Sequence, residues 1–288
     1  MTETKRLKAA LCAFLVGGIM VPGSGFGTGQ ANAASEIGTA RKVINSVSGT
    51  LSGQKRMLNR GAPVHLNERI NAGANSSAQM IFNDGTRLAV GSRASVVLDR
   101  FVYAGAGDGS MVLNAARGAF RFVTGKMPPR NYKLKTPAST IGVRGTMFDV
   151  FVGAGGETIV VLLRGETDVC NNANRCQTLR NRCDAVRIEP SGRIITGRGL
   201  SEAVLGDNPS NQVAPFMFYQ RPLVRSLRAP EHTIKTCLGA AEPSSIGPDR
   251  EGIDHSDRPE REAPSDNDDG QDDGGDNDND NEGTSDNE

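Results

Sequence analysis

Cysteine is the residue type in this sequence whose chemistry is easiest to predict, because thiols form disulfides or bind zinc. Cys12 lies in an apolar N-terminal run, and four cysteines follow much later: Cys170, Cys176, Cys183 and Cys237. An even number of cysteines in an exported chain favours disulfides. A zinc site is the alternative, but no two cysteines have C-x-x-C spacing and no histidine lies near the cysteines at 170–183. We therefore predict two disulfides.

The pairing of these cysteines is open among three combinations. Cys170 ends one predicted strand and Cys183 begins the next, so the two are expected to face each other across a hairpin. Cys176, in the loop between them, would then reach Cys237 and attach the C-terminal segment to the rest of the chain. This is the pairing that we predict.

Catalytic chemistry has little support in the sequence. The three histidines, His65, His232 and His255, have no spacing typical of a metal site or a Ser-His-Asp arrangement. Asp99 has the type of a general acid, but it is explained more simply as a polar position in a strand. No glycine-rich phosphate-binding loop precedes a helix. We predict no catalytic residue, no cofactor and no metal, with an unrecognised hydrolase as the enzymatic alternative.

The elements that must position these residues are predicted to be strands. Glycine accounts for 35 of 288 residues, tryptophan is absent, and aromatic residues make up 5%. Such a glycine-rich sequence with valine and isoleucine but little helical periodicity is typical of all-β proteins. We predict an all-β fold, a β-roll or solenoid-like module, with one helix somewhere in 215–227.

The clearest turn is Asp84-Gly85, since Asp-Gly between apolar stretches is a strong hairpin signature. Apolar residues alternate with period two on both sides of it, in 78–82 and 88–90, so both strands should contribute to one core. Arg117-Gly118 separates two further strands. Additional turns are expected at 105–109, which includes Asp108, and at 153–156, 164–165 and 191–192.

In the stretch TPASTIGVRGTMFDVFV, residues 136–152, the alternation of apolar residues shifts by one position. Its apolar positions are odd-numbered at Ile141 and Val143 but even-numbered at Phe148 and Val150. A shift of one residue would turn one half towards solvent unless a β-bulge absorbs it. Glycine with a positive φ is the usual residue at such a bulge. We predict that Gly145 is this bulge or tight bend.

The neighbours of Gly145 carry two further hypotheses. Gly142 is expected where another backbone, or the Arg144 side chain, approaches closely. Arg144 is expected to bond carbonyl groups or a carboxylate at the bend, with Asp149 as a candidate partner. The alternative is that its guanidinium and the glycine-rich backbone form an anion pocket.

The N-terminal residues predict export. Lys5, Arg6 and Lys8 precede an apolar run over 11–21, and 31–33 is an A-x-A cleavage sequence. The run is shorter than the roughly 20 apolar residues needed to span a bilayer. We expect a cleaved signal peptide and a periplasmic or extracellular protein that does not span the membrane after cleavage. An uncleaved anchor is the alternative.

Charge is unevenly distributed along the chain. Residues 34–241 hold 27 Lys and Arg against 14 Asp and Glu, a net charge of +13, whereas residues 242–288 have a net charge of −15. The acidic tail is too poor in apolar residues to form a core, so we expect it to be disordered. The basic part favours an anionic envelope polymer or an envelope protein as partner. An exported protein without aromatic residues among its arginines is not expected to bind nucleic acid.

Four short stretches together resemble the FecR domain, an extracytoplasmic module named after the ferric-citrate transport regulator. They are FNDGTRL at 82–88, GAFRF at 118–122, TPA at 136–138 and IGVRGT at 141–146. The resemblance implies an all-β, solenoid- or roll-like fold outside the cytoplasmic membrane. In that regulator the module takes part in relaying a signal to a cytoplasmic sigma factor. This sequence shows no cytoplasmic anti-sigma segment, so it is not expected to relay a signal alone.

The resemblance and the charge pattern together divide the chain into five parts. We expect a signal peptide at 1–33, a β segment at 34–66, the FecR-like domain at 67–166, a β and cysteine-containing extension at 167–241, and the acidic tail at 242–288. The predicted function is a non-enzymatic binding or sensory adaptor of the envelope. The alternative is a secreted structural or surface-matrix protein.

Overall fold

Strands dominate the computed structural model, which describes residues 35–105 and 109–239. The all-β prediction is therefore confirmed, while the signal peptide, the acidic tail and Asp108 lie outside the described residues. The strands are β1 (Glu36–Ile44), β2 (Val47–Leu51), β3 (Gln54–Met57), β4 (Pro63–His65), β5 (Arg69–Ala72), β6 (Ser77–Phe82), β7 (Arg87–Val90), β8 (Ser95–Tyr103), β9 (Gly109–Val123), β10 (Tyr132–Lys135), β11 (Ser139–Val152), β12 (Thr158–Asn171), β13 (Cys176–Leu179), β14 (Asp184–Ile188) and β15 (Ile194–Arg198).

All fifteen strands belong to one sheet. Its main order is β15-β14-β12-β11-β10-β9-β7-β6-β1-β4, with β13 paired to β12. A branch runs from β9 through β8, β5 and β2 to β3. The pairs are antiparallel except for β9 with β10, which is parallel. The hairpin predicted at Asp84-Gly85 connects β6 and β7, and Gly85 has the positive φ of 85° that this turn requires.

Three long neighbouring strands bend at an Arg-Gly step. The glycines are Gly118 in β9, Gly145 in β11 and Gly165 in β12, with φ of 92°, 67° and 90°. The register of β11 against β12 shifts between Arg144 and Met147. The turn expected at 164–165 is wrong, because this step lies inside β12, and Arg117-Gly118 likewise lies inside β9 rather than between two strands.

The bends allow one strand to serve two parts of the sheet. The first part of β9 pairs with β8 and β10, and the part after Gly118 pairs with β7 and β11. The core side chains are odd-numbered on one side of each bend and even-numbered on the other, yet both sets reach the same core. In β9 these are Leu113 and Phe120, and in β12 they are Leu162 and Val169. This main core contains most of the buried apolar residues of the sheet.

The segment after β15 is helical and covers the other side of the sheet. It contains α1 (Glu202–Leu205), α2 (Ser210–Val213), α3 (Pro215–Phe218), a 3₁₀ turn (Arg225–Leu227) and α4 (Glu231–Cys237). The expected helix in 215–227 corresponds to α3 and the 3₁₀ turn, whereas the other helices are too short to show a helical period in the sequence. Phe216 and Leu227 pack with Met147 and Phe151 of β11 in a second core. Within the described part of the chain, no helix has the length and apolar character to cross a membrane.

Candidate functional site

Asp84 is fully buried, and its carboxylate is hydrogen-bonded inside the fold. One oxygen accepts from the Thr86 amide at 2.9 Å, and the other accepts from the hydroxyls of Thr86 at 2.6 Å and Tyr132 at 2.7 Å. The Tyr132 oxygen accepts the Met127 amide at 2.9 Å. The predicted turn residue therefore also connects the β6–β7 hairpin to β10.

Tyr132 was not among the sequence-predicted residues, although it completes this network. Burial, together with the adjacent Asp84 carboxylate, raises the pKa of Tyr132 to about 12. The phenol is therefore protonated at neutral pH and donates its proton to Asp84. The arrangement connects parts of the fold and leaves neither group open to a substrate.

Arg144 is exposed and ion-paired on the outer surface. Its guanidinium lies 3.0 Å from Asp168 and 3.4 Å from Glu166, both on β12. The expected partner Asp149 is wrong, because the β11–β12 register places Arg144 directly opposite Glu166. The side chain of Asp149 instead lies under the C-terminal helical segment, where it pairs with Arg121.

The two glycines of this stretch differ in their surroundings. A β-bulge follows Arg144, with Gly145 at φ 67° and open space around its Cβ position. At Gly142 the nearest heavy atom to a Cβ would be the Asp168 carbonyl oxygen at 3.9 Å. The close approach expected at Gly142 is therefore not found, and an ordinary side chain has room there.

Arg121 and Asp149 form a buried ion pair that sequence analysis missed. The two guanidinium nitrogens Nε and Nη2 donate to the two carboxylate oxygens at 2.6 and 2.7 Å. The remaining nitrogen Nη1 donates to Gln220 and to the Leu227 carbonyl oxygen, both at 3.2 Å. The Phe216 ring lies over the guanidinium at 5.9 Å. The pair therefore holds the C-terminal segment on the sheet. An arginine inside the apolar run 119–123 was the available sequence indication.

Two disulfides are present, as predicted, but their pairing differs from the expected one. Cys170 bonds to Cys176, and Cys183 bonds to Cys237. The expected pairing is wrong because the hairpin after β12 is tighter than we predicted, so that Cys170 and Cys176 lie directly opposite each other in β12 and β13. Cys183 is thereby left to attach α4 to the sheet.

The histidines do not assemble a catalytic or metal centre in the described structure. His65 contacts the buried carboxylate of Glu68, which accepts the His65 amide at 2.9 Å and the Arg56 guanidinium at 3.0 Å. His232 is exposed on α4, and His255 lies outside the described residues. Among residues 35–105 and 109–239, no group of three His, Cys, Asp or Glu is arranged to hold a metal ion.

Four basic side chains define what we call the basic sheet face: Arg69, Arg100, Lys133 and Lys135. They are exposed on β5, β8 and β10, at positions that alternate with residues of the main core. None forms an ion pair with another described residue. Arg144 on β11, by contrast, is paired with the carboxylates of Glu166 and Asp168.

The register places these cations in two rows across the sheet. Arg69 is opposite Val97, Val97 is opposite Asn114, and Asn114 is opposite Lys135. Arg69 and Lys135 are three strands apart, about 14 Å at the usual strand spacing. A shallow depression of about 440 Å³ lies between them. In the second row, Arg100 and Lys133 flank Val112 in the same way.

A separate cleft of about 600 Å³ lies where the bend of β9 meets the β7–β8 loop. We call it the Arg93–Arg117 cleft after its two basic residues. Its walls come from the turn before β6, the end of β11 and the helices α2 and α3. Its described lining contains no Asp or Glu.

Comparison with known families confirms the resemblance seen in the sequence. Residues 68–167 match the family model described as FecR protein. The chain thus carries a FecR domain, which runs from just before β5 into the second part of β12. A search of curated protein sequences finds no match.

Solved structures overlap with this chain only loosely. Two structures of a "putative anti-sigma factor" from Parabacteroides distasonis ATCC 8503 cover 45% of this chain, with 14% identity and a TM-score of 0.37. The chain spans 59% of the length of that protein. The match to a structure named cell surface anchoring domain covers 21% of this chain and 82% of the chain of that structure, with 31% identity and a TM-score of 0.21. These overlaps do not establish a common fold.

Proposed function

We propose that this FecR-domain chain is an exported, non-enzymatic adaptor that binds an anionic polymer of the cell envelope. The observation that carries the proposal is the basic sheet face, where four exposed cations have no acidic partner among the described residues. Clustered cations without partners attract polyanions and raise their rate of association.

The buried ionisable groups support binding rather than catalysis. Asp84 is bonded by Thr86 and Tyr132, and Arg121 is bonded by Asp149. These groups connect strands and attach the C-terminal segment, so their hydrogen bonds and charges stabilise the fold. The cations of the basic sheet face, by contrast, are exposed and accessible to a partner.

Export is supported by the disulfides and by the N-terminal sequence. Disulfides persist in oxidising compartments and are rare in the cytosol. The structure holds two of them, and one attaches α4 to the sheet. An adaptor in the envelope would meet acidic polysaccharides and other surface polymers.

The arrangement of the face fits a polymer better than a compact anion. Its cations are spread over about 14 Å along one row, and uncharged side chains such as Val97 and Asn114 lie between them. A polymer with repeated carboxylates can contact several cations at once, whereas a small anion reaches one or two.

The test measures binding of the mature protein to alginate, with neutral dextran as the comparison polymer. Lys133→Glu/Lys135→Glu should weaken alginate binding at least about tenfold at low salt, because it replaces attraction by repulsion at two contacts. The effect should nearly vanish at 1 M salt, where the screening length is about 3 Å.

The matched control is Arg221→Glu/Arg225→Glu, which changes the net charge equally on the C-terminal segment. It should affect binding much less than the β10 variant. Equal losses of alginate affinity in both variants would show that the total charge, and not the basic sheet face, determines binding. No alginate binding by the wild-type protein at low salt would contradict it.

A sensory adaptor that contacts an envelope protein is the second candidate, and the FecR domain is the observation that favours it. Cross-linking of the wild-type protein in intact cells would then capture one specific protein. That capture would have to persist in Lys133→Glu/Lys135→Glu, which distinguishes this function from polymer binding.

A further inference from the structure

We infer that the Arg93–Arg117 cleft binds a small molecule that combines a carboxylate with an apolar body. The cleft has a volume of about 600 Å³, and small-molecule sites occupy roughly 300–1,000 Å³. This inference is independent of the polymer-binding proposal, because none of the four basic residues of that face lines the cleft.

The backbone at Arg93 gives the first argument. Arg93 has a φ of 55°, in the left-handed region. Four of the seven described non-glycine residues with positive φ are asparagine, a residue that tolerates this conformation. Arginine does not share this tolerance of positive φ. The Arg93 amide donates to the Gly73 carbonyl oxygen at 3.0 Å, which fixes the loop beside the cleft. The backbone conformation therefore does not explain the arginine at position 93, and a function of its side chain does.

The second argument is the contact that places the two arginines together. A Cβ on Gly118 would lie 2.5 Å from the Cα of Ala94, so these two backbones touch. Arg93 and Arg117 directly precede the touching residues, and both side chains are exposed. Neither guanidinium forms an ion pair or a hydrogen bond with a described residue. Both are therefore available to a ligand.

The third argument is the composition of the walls. Phe151, Val152, Ala119 and Pro215 provide apolar surface, and the cleft lining contains no described carboxylate. The planar fork of a guanidinium matches a carboxylate, which it can bind through two parallel hydrogen bonds. An apolar body in the cleft and a carboxylate at the arginines would satisfy both parts of the surface.

The C-terminal segment completes this cleft. Asn211 and Gln212 of α2 are exposed at its edge, and Pro215 begins α3. Because the Arg121–Asp149 pair holds this segment on the sheet, the cleft depends on residues outside the FecR match. The site is therefore a property of this chain's extension together with its domain.

The experiment uses phenylacetate as probe, with phenylacetamide as its neutral analogue. The mature, oxidised protein is labelled with ¹³C at alanine methyl groups and titrated by NMR. Phenylacetate should shift the methyl signals of Ala72, Ala74, Ala119 and Ala154, which line the cleft. Phenylacetamide should bind at least about tenfold more weakly, because it cannot form charge-assisted hydrogen bonds.

Two variants separate binding from folding. Arg93→Asn keeps a residue suited to positive φ, so it should retain or raise the melting temperature while it weakens phenylacetate binding about tenfold. Arg117→Met should weaken binding similarly. Arg130→Asn changes an exposed arginine outside the cleft and should leave binding unchanged.

Three results would overturn the inference. They are equal affinity for phenylacetate and phenylacetamide, unchanged phenylacetate affinity in folded Arg93→Asn and Arg117→Met, and no shift of the four methyl signals up to the solubility limit of the probe. Shifts that spread over alanines throughout the protein would mean non-specific binding and would equally refute the site.

Discussion

Gly145 and Gly165 face each other across β11 and β12, and a Cβ on Gly165 would lie 2.5 Å from the Gly145 carbonyl oxygen. It would also lie 3.0 Å from the Cα of Thr146. The Cβ position of Gly145 itself is open, although both glycines have positive φ. Gly145 is therefore required by backbone conformation alone, whereas Gly165 is required by conformation and by space.

We predict that Gly165→Ala destabilises the protein more than Gly145→Ala. Gly145→Ala should lower the free energy of unfolding by about 1 kcal/mol, the usual cost of alanine at positive φ. Gly165→Ala should cost at least about 2 kcal/mol, since two backbones must also separate. Urea denaturation of the oxidised protein measures both.

The control for this pair is Gly142→Ala in the same β11 strand. Gly142 has no positive φ, and its Cβ would find its nearest neighbour at 3.9 Å. This variant should stay within about 0.5 kcal/mol of the wild type. A loss at Gly165 no larger than that at Gly145 would refute the steric argument.

The local features of the fold could be predicted from the sequence, because they depend on neighbouring residues. Asp84-Gly85 specified its hairpin, and the parity change around Gly145 indicated a bend. The same parity change occurs across Gly118 and Gly165, yet those steps were interpreted as separating strands. Glycine with positive φ suits turns and bulges alike, so only the numbering of the buried residues on both sides distinguishes them.

The long-range features could not be predicted, because they depend on where distant segments lie. Arg121 occupies a position in β9 that faces away from the main core, and the sequence of β9 does not indicate that another segment covers this face. Arg121 is buried because the helical segment after β15 folds over it. The Cys183–Cys237 disulfide and the Arg93–Arg117 cleft depend on the same segment, whose short helices carry no periodic pattern.

We predict that Arg121→Met lowers the free energy of unfolding by about 3–5 kcal/mol, because it leaves the Asp149 carboxylate buried without its partner. The double variant Arg121→Met/Asp149→Leu should be more stable than the single variant, since no uncompensated charge remains. Urea denaturation of the three proteins gives both differences.

The exposed pair at Arg144 is the control for this comparison. Arg144 has a 59% exposed side chain and contacts Glu166 and Asp168. Arg144→Met should cost no more than about 1 kcal/mol, as is usual for surface ion pairs. A double variant at 121 and 149 that is as unstable as Arg121→Met would argue against an uncompensated charge as the cause.

The raised pKa of Tyr132 predicts a loss of stability at alkaline pH. Its pKa is raised from 10.0 to about 12 in the folded protein, so the neutral phenol stabilises the fold fully below pH 10. This contribution is lost as the pH rises from 10 towards 12. Between about pH 8 and pH 11 the wild type should lose about 1.4 kcal/mol more stability than Tyr132→Phe does.

Tyr219→Phe is the matched control, because Tyr219 is 64% exposed. Its stability should decline with pH in parallel with the wild type. Urea denaturation at a series of pH values measures all three proteins. If Tyr132→Phe declines as steeply as the wild type, the buried phenol does not cause the additional loss.

The two disulfides should differ in their contribution, because they close loops of different length. Cys183 and Cys237 are 54 residues apart, whereas Cys170 and Cys176 are 6 apart within one hairpin. The chain-entropy relation gives about 4 kcal/mol for the longer loop and about 2 kcal/mol for the shorter one. Cys183→Ala/Cys237→Ala should therefore be less stable than Cys170→Ala/Cys176→Ala by roughly 2 kcal/mol in urea denaturation.

Limited proteolysis distinguishes a general loss of stability from local release of the C-terminal segment. Besides its disulfide, α4 is bonded to the residues just after β15, where the Leu200 amide donates to the Cys237 carbonyl oxygen at 2.9 Å. In Cys183→Ala/Cys237→Ala, cleavage should begin between residues 199 and 239 while β1 to β14 stay intact, and the hairpin variant should resist at this segment. Cleavage at the same sites and rates in both variants would show that the longer disulfide does not hold the segment on the sheet.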